Sequence, residues 1–173
     1  MLATADAAFR LAPWHDFAVM LGGAAAALTG LVFVAVSLQL ATLARDSKLR
    51  HRASTSVLFL FTIVAASAAI LAPQSPRALG VEFLALVLTA SIFGYRGVLA
   101  AGEQRDNFGR LLLLVSTPTS LFGILADISL IVERGYGLYI ATPCLVITLG
   151  ITLASAWAVL SAAAEEVSDR LRA

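Results

Sequence analysis

FAVMLGGAAAALTGLVFVAVSLQLATL, residues 17–43, contains no charged side chain. A helix needs about 20 mostly apolar residues to cross the roughly 30 Å of hydrocarbon in a bilayer, and this segment is longer than that. It is also too long for the apolar core of a cleavable signal peptide, and no positively charged region precedes it. We therefore expect residues 17–43 to remain in the chain as a membrane-spanning helix.

Four further segments have the length and composition of membrane-spanning helices. Charge within them is limited to Glu82 and Arg96, near the two ends of the third span, and to Asp127 in the fourth. The connections are short, so consecutive spans are expected to be antiparallel neighbours. The sequence thus predicts an all-α polytopic membrane protein, a five-transmembrane-helix bundle in a single domain. The predicted spans are residues 17–43, 53–72, 78–100, 111–132 and 136–164.

The composition agrees with a lipid environment and narrows the classes of function. Apolar residues make up 60% of the chain and charged residues 13%, and the charged share is about half that of soluble domains. No basic cluster resembles a nucleic-acid interface. The single cysteine, Cys144, rules out an intrachain disulfide and a multi-cysteine metal site. The sequence predicts no cofactor, and it contains no nucleophile–base pair or phosphate-binding loop, so the chain is not expected to be an enzyme.

The distribution of basic residues predicts the orientation, because cytoplasmic loops carry an excess of lysine and arginine. One side of the membrane would carry only Arg10, Arg77 and Arg134, and the other side nine of the twelve basic residues. The N-terminus is therefore predicted outside and the C-terminus in the cytoplasm. The nine residues assigned to the cytoplasmic side are Arg45, Lys48, Arg50, Arg52, Arg96, Arg105, Arg110, Arg170 and Arg172.

The first span carries small residues at helical spacing. Gly22, Ala26 and Gly30 are four residues apart and share one helix face. Small residues at this spacing let two helices approach closely, and in lipid this packing replaces the hydrophobic driving force. The partner is either another span of the same chain or the same span of a second copy.

The fourth span carries a polar face. Ser116, Ser120, Gly123 and Asp127 follow one another at spacings of four, three and four residues, and Pro118 interrupts the helix beside them. The simplest interpretation is that the hydroxyls bond to carbonyls of their own helix near the proline kink. That interpretation does not account for Asp127, because a carboxylate inside a span is costly unless it is paired, hydrated or protonated.

Glu82 and Asp127 lie at similar depth near the predicted outer end of the bundle, and three interpretations compete. The first is a pair of interfacial ion pairs, Glu82 with Arg77 and Asp127 with Arg134. The second is an acidic vestibule that attracts cations to a pathway. The third is a metal site, although one histidine with scattered carboxylates lacks diagnostic spacing. Its candidate ligands are His15, Asp16, Glu82 and Asp127.

The start of the first span also carries a resemblance. An aromatic-rich boundary, Trp14 to Phe17, is followed by GGAAAALTGLVFVAVSLQL at residues 22–40. This pattern resembles the start of small bacterial multi-span integral membrane proteins of uncharacterised function. The resemblance implies a bacterial inner membrane and carries no activity or site with it.

These observations favour a homo-oligomeric membrane protein that forms a channel or a small-solute or ion pathway. Asp127, Ser116, Ser120 and Gly123 would line the pathway, and Glu82 would form an acidic outer vestibule. The alternative is a non-transporting accessory subunit that binds another membrane protein through its first span. The expected partners are therefore the lipid bilayer, further copies of the chain and another membrane protein.

Overall fold

The computed structural model describes residues 11–38, 47–101, 107–134 and 136–172. Within these residues the chain forms five long α-helices, and a single 3-10 turn at Ala12–Trp14 leads into the first. The predicted all-α fold is confirmed, and each helix contains a segment long and apolar enough to cross a membrane. The helices are α1 (His15–Leu38), α2 (Ser47–Leu71), α3 (Pro76–Ala101), α4 (Asn107–Val132) and α5 (Gly137–Arg172).

The helix bounds differ most from the predicted spans at three places. Helix α2 begins at Ser47, six residues before the predicted start, and α4 begins at Asn107, four residues before it. Helix α5 continues to Arg172, eight residues past the predicted end. Residues 39–43 of the predicted first span lie outside the described residues, as do Arg45 and Arg105 of the predicted basic loops.

The connection from α2 to α3 is built from local signals. Ser75 caps α3: its Oγ accepts a hydrogen bond from the Ala78 amide at 3.2 Å, and Pro76 occupies the first helical position, where the missing N–H costs nothing. At the end of α2 the Gln74 side chain donates to the carbonyl of Ala69 at 2.7 Å. The chain therefore reverses within a few residues and makes α2 and α3 antiparallel neighbours.

Helices α2, α3, α4 and α5 form a ring, and α1 packs on the outside of that ring. Around the ring, α2 packs on α3, α3 on α4, α4 on α5, and α5 on α2, whereas α1 packs mainly on α2 and more lightly on α5. Helix α2 therefore has three neighbours, and its buried side chains repeat at spacings of three and four. The buried side chains at this spacing are Ala53, Ser56, Leu60, Ile63, Ser67 and Ile70, and Ala66 and Ala69 beside them are also buried.

The packing is tightest at the end where α1, α3 and α5 begin. There Ala18, Ile70, Leu79, Leu130 and Leu138 bring all five helices into one cluster of buried side chains. A second cluster joins α1, α2 and α5 further along the bundle. Toward the opposite end α4 has no buried side chain from residue 110 to residue 122. Helix α4 is therefore held mainly by its last three turns.

Large apolar side chains cover the outside of the bundle. Leu114, Phe33 and Trp157 are 73%, 70% and 71% exposed. An apolar surface of this extent is unfavourable in water, whereas it suits contact with hydrocarbon. Together with the length of the helices, this surface indicates a multi-pass membrane protein.

Candidate functional site: a buried carboxyl in the bundle

Asp127 is the one acidic side chain of the described residues that is buried inside the bundle. It lies on α4, five residues before the last residue of that helix, and only 1% of it is exposed. Its Oδ2 atom is also buried and has no hydrogen-bond partner among the described residues. Nearly all buried polar atoms in folded proteins have such a partner, so this carboxyl needs a functional or structural explanation.

Two glycines let the neighbouring helices α3 and α5 pack closely against α4 near Asp127. A β-carbon added to Gly80 on α3 would lie 2.9 Å from the carbonyl oxygen of Asp127 and 3.0 Å from the amide nitrogen of Ile131. A β-carbon added to Gly137, the first residue of α5, would lie 2.7 Å from Cγ of Leu130. The backbones of α3 and α5 therefore approach α4 from two sides, and they enclose the turns that carry Asp127.

The predicted polar face of α4 is turned toward the bundle, but it is not uniformly buried. Gly123 is buried and faces Val87 of α3, with 3.8 Å between its added β-carbon and Cγ2 of Val87. Ser116 and Ser120 are only partly buried. The face thus runs from the enclosed Asp127 to the more loosely packed half of the bundle.

The hydroxyl groups beside Pro118 bond within their own helix. Thr119 Oγ1 donates to the carbonyl of Val115 at 2.7 Å, and Ser116 Oγ lies 3.5 Å from the carbonyl of Leu113. A proline inside a helix disturbs the backbone hydrogen bonds of its turn. The Thr119 hydroxyl therefore gives the Val115 carbonyl a hydrogen-bond donor close to Pro118. The simpler interpretation of these hydroxyls therefore applies to Thr119, and it leaves Asp127 unexplained.

The two predicted ion pairs are wrong. Arg77 pairs with Glu133, at 3.1 Å between Nε and Oε1, whereas Glu82 accepts a hydrogen bond from Gln74 at 3.0 Å. Among the described residues no basic side chain, Arg134 included, pairs with Asp127. The physical reason is the position of the two side chains. Asp127 is buried in the bundle more than one turn before the end of α4, whereas Arg134 lies after that end and is exposed.

Glu82 and Asp127 differ in their exposure. Glu82 is exposed, whereas Asp127 is enclosed in the bundle. The proposed metal ligands are not gathered: in the described part of the chain no three His, Cys, Asp or Glu side chains are placed to hold a metal ion.

The turn after α4 places Glu133 beside Arg77. Glu133 has a positive φ of 55°, its amide donates to the carbonyl of Leu130, and the Arg134 amide donates to the carbonyl of Ser129. These two bonds form the Schellman motif, whose left-handed position is usually glycine. The Ser129 hydroxyl also donates to the carbonyl of Arg134.

We expect Glu133→Gly to leave stability unchanged or to raise it. Glycine removes a left-handed strain of about 1–2 kcal/mol, and the partly exposed ion pair with Arg77 is worth only about 0.2–1 kcal/mol. Thermal unfolding in detergent at low and high salt measures the difference. Glu133→Gln is the control, since it keeps the strain and loses the pair; a Gly variant less stable than the Gln variant would contradict this account.

The small residues of the first span are divided between two environments. Gly22 packs against α2, where an added β-carbon would lie 2.9 Å from Cβ of Ser67. Ala26 and Gly30 are exposed, and Gly30 has nothing within 4 Å of an added β-carbon. The three residues drift around the helix, because four residues exceed one turn, and only Gly22 reaches the contact within the chain.

Aromatic residues and glycines also shape this end of the bundle. Trp14 packs edge-on against Tyr139 of α5, with ring centroids 4.9 Å apart, and it thereby ties the start of α1 to α5. Gly80 and Gly137 were missed as contact points. The signal for Gly80 was available, since a glycine inside an apolar span is a common mark of close helix approach.

The fold and the site define a class, a multi-pass helical membrane protein with a carboxyl group enclosed in its bundle. Comparison with known proteins adds no closer assignment. No family model, no curated protein and no solved structure matches the chain.

Proposed function

We propose that the chain is a multi-pass protein of the bacterial inner membrane that provides a pathway for a small solute or ion, with Asp127 as its binding residue. The N-terminus would lie outside and the C-terminus in the cytoplasm, as the basic residues predict. The observation that carries the proposal is the burial of Asp127 with Oδ2 unpartnered. Ionisable residues within membrane spans are costly and commonly mark ion or substrate pathways.

The position of Asp127 changes the form of the proposed pathway. A side chain that is 1% exposed within one chain cannot line a pore between copies in this conformation. We therefore place the pathway inside the bundle of each copy, along the α4 face from Asp127 to Gly123, Ser120 and Ser116. Homo-oligomers would hold several such bundles side by side, and Glu82 would border the outer entrance. No enzymatic activity is proposed.

Flux measurements in liposomes test this function. Purified protein is reconstituted with internal indicators for H⁺, Na⁺, K⁺ and a small neutral solute. We expect flux of one species that falls to background in Asp127→Asn. Thr152→Val is the matched control and should retain flux, because Thr152 is equally enclosed, at 2% exposed, but its hydroxyl donates to the Thr148 carbonyl at 2.7 Å.

A second function is favoured by the open face of α1. Gly23 and Gly30 have nothing within 4 Å of an added β-carbon, and Ala26 is exposed beside them. This face could receive a helix of another membrane protein, as an accessory subunit would. Folded protein without flux of any tested species would contradict the pathway. A membrane protein that co-purifies in mild detergent and is lost in Gly30→Leu would then support the accessory function.

A further inference from the structure

We propose that the species bound at Asp127 is a proton, so that this carboxyl alternates between a neutral enclosed state and an ionised accessible state. The inference rests on the proposed pathway for its physiological meaning, and it identifies the ligand of the same site. It is carried by what surrounds the carboxyl on α3, α4 and α5.

The enclosed carboxyl has no compensating charge. The basic side chain nearest to this end of α3, Arg77, is engaged with Glu133 at 3.1 Å. The cysteine of α5, Cys144, carries no positive charge that could neutralise a carboxylate. An unpaired charge in a low-dielectric interior is strongly unfavourable, and such groups take up a proton instead.

The other titratable groups around Asp127 do not change this conclusion. On α3 the closest in sequence to Gly80 is Glu82, which is exposed and bonded to Gln74. On α5 the Tyr139 ring is occupied by the aromatic contacts with Trp14 and Tyr136. In the turn after α4, Glu133 pairs with Arg77. None of these described groups supplies a positive charge to the carboxyl.

A metal cation does not fit the same position. Alkali and alkaline-earth ions need several oxygen ligands around them, and in the described part of the chain no three His, Cys, Asp or Glu side chains are placed to hold a metal ion. The α5 hydroxyls on either side of Cys144 are turned to their own helix: Thr142 donates to the carbonyl of Leu138 and Thr148 to that of Cys144. A proton needs only one oxygen atom, and Oδ2 is free to hold it.

The geometry also gives the proton a way in. Asp127 lies five residues from the end of α4, which is roughly 7–8 Å along the helix axis. In the opposite direction, Pro118 lies inside the helix and has no backbone N–H to donate, and the turns before Gly123 lack buried side chains. A motion of the loosely packed part of α4, from Pro118 toward the start of the helix, would therefore open a route to Gly123, about one turn from Asp127, while the contacts at Gly80 and Gly137 stay in place.

Carbodiimide labelling tests the inference without a flux assay. An apolar carbodiimide reacts with a protonated carboxylic acid: the acid proton moves to a carbodiimide nitrogen while the carboxyl oxygen bonds to the central carbon. We expect dicyclohexylcarbodiimide to label Asp127 in folded protein in lipid nanodiscs, located by mass spectrometry. Labelling should decrease as pH rises, by about tenfold per pH unit once the carboxyl ionises.

Two variants and one competition complete the experiment. Labelling should disappear in Asp127→Asn and remain in Glu82→Gln, and a water-soluble carbodiimide should prefer the exposed Glu82. The infrared band of a protonated carboxylic acid, lost in Asp127→Asn, is the second readout. Absence of both label and band at every pH at which the protein is folded would overturn the inference, as would protection of Asp127 by Na⁺ or K⁺.

The two proposals fail separately. A labelled Asp127 in a protein without flux would overturn the pathway and leave the proton site standing. Flux of a metal cation with Asp127 unprotonated would retain the pathway and overturn the proton site.

Discussion

Substituting Gly80 by alanine should destabilise the bundle by about 1–3 kcal/mol, the usual cost of overpacking a tight contact, and leucine should cost more. The added β-carbon would lie 2.9 Å from the Asp127 carbonyl oxygen and 3.0 Å from the Ile131 amide nitrogen. Both are backbone atoms of α4, so no side chain can rotate away and the helices must separate. Alanine is also the better helix former, by up to about 1 kcal/mol, and the contact cost must exceed that gain.

Unfolding by sodium dodecyl sulfate in mixed micelles, followed by circular dichroism, measures this effect. Gly150→Ala is the matched control, because Gly150 lies in a helix and has nothing within 4 Å of an added β-carbon. We expect the control to be as stable as the natural protein or slightly more stable. Equal stability of the two alanine variants would show that α3 and α4 are not in close contact at Gly80.

Replacing Asp127 by leucine should have the opposite sign and raise stability by about 1–3 kcal/mol, the cost of a buried polar group left unsatisfied. Leucine branches at the same atom as aspartate, so it follows the shape of the site and removes the unpartnered Oδ2. Its greater volume opposes part of this gain. The same variant should have no flux, since the carboxyl is the proposed binding group.

The gain in stability and the loss of flux are to be measured on the same preparation. Thr152→Val is again the control, and we expect a change within about 1 kcal/mol, because its hydroxyl is already satisfied inside its own helix. A clear loss of stability in Asp127→Leu beyond that of the control would indicate that the carboxyl has a structural partner. Raised stability with lost flux is the pattern of a residue kept for function.

The comparison between sequence and structure separates local from tertiary information. The positions of the five helices follow from apolar length and from local breakers such as Pro73 and Ser75, and the sequence predicted them closely apart from the earlier starts of α2 and α4 and the longer α5. The position of Asp127, five residues before the end of the fourth helix, followed from the same counting. The ion pair between Arg77 and Glu133 could not be predicted in this way, because the two residues belong to different parts of the chain. Glu133 is placed beside Arg77 by a turn with a left-handed backbone conformation.

The direction in which each helix face points was decided only by the tertiary structure. In a soluble protein the apolar stripe of a helix marks its buried face, but in a chain surrounded by lipid both faces are apolar. Gly22 and Gly30 therefore looked equivalent in sequence, and only the packing of α1 on α2 separates them. By itself the sequence determined five apolar helices, their order and an acid within the fourth. The close approach of α3 and α5 to α4 determined that this acid is enclosed and unpaired, because contacts between distant residues depend on helix rotation, which apolar composition does not encode.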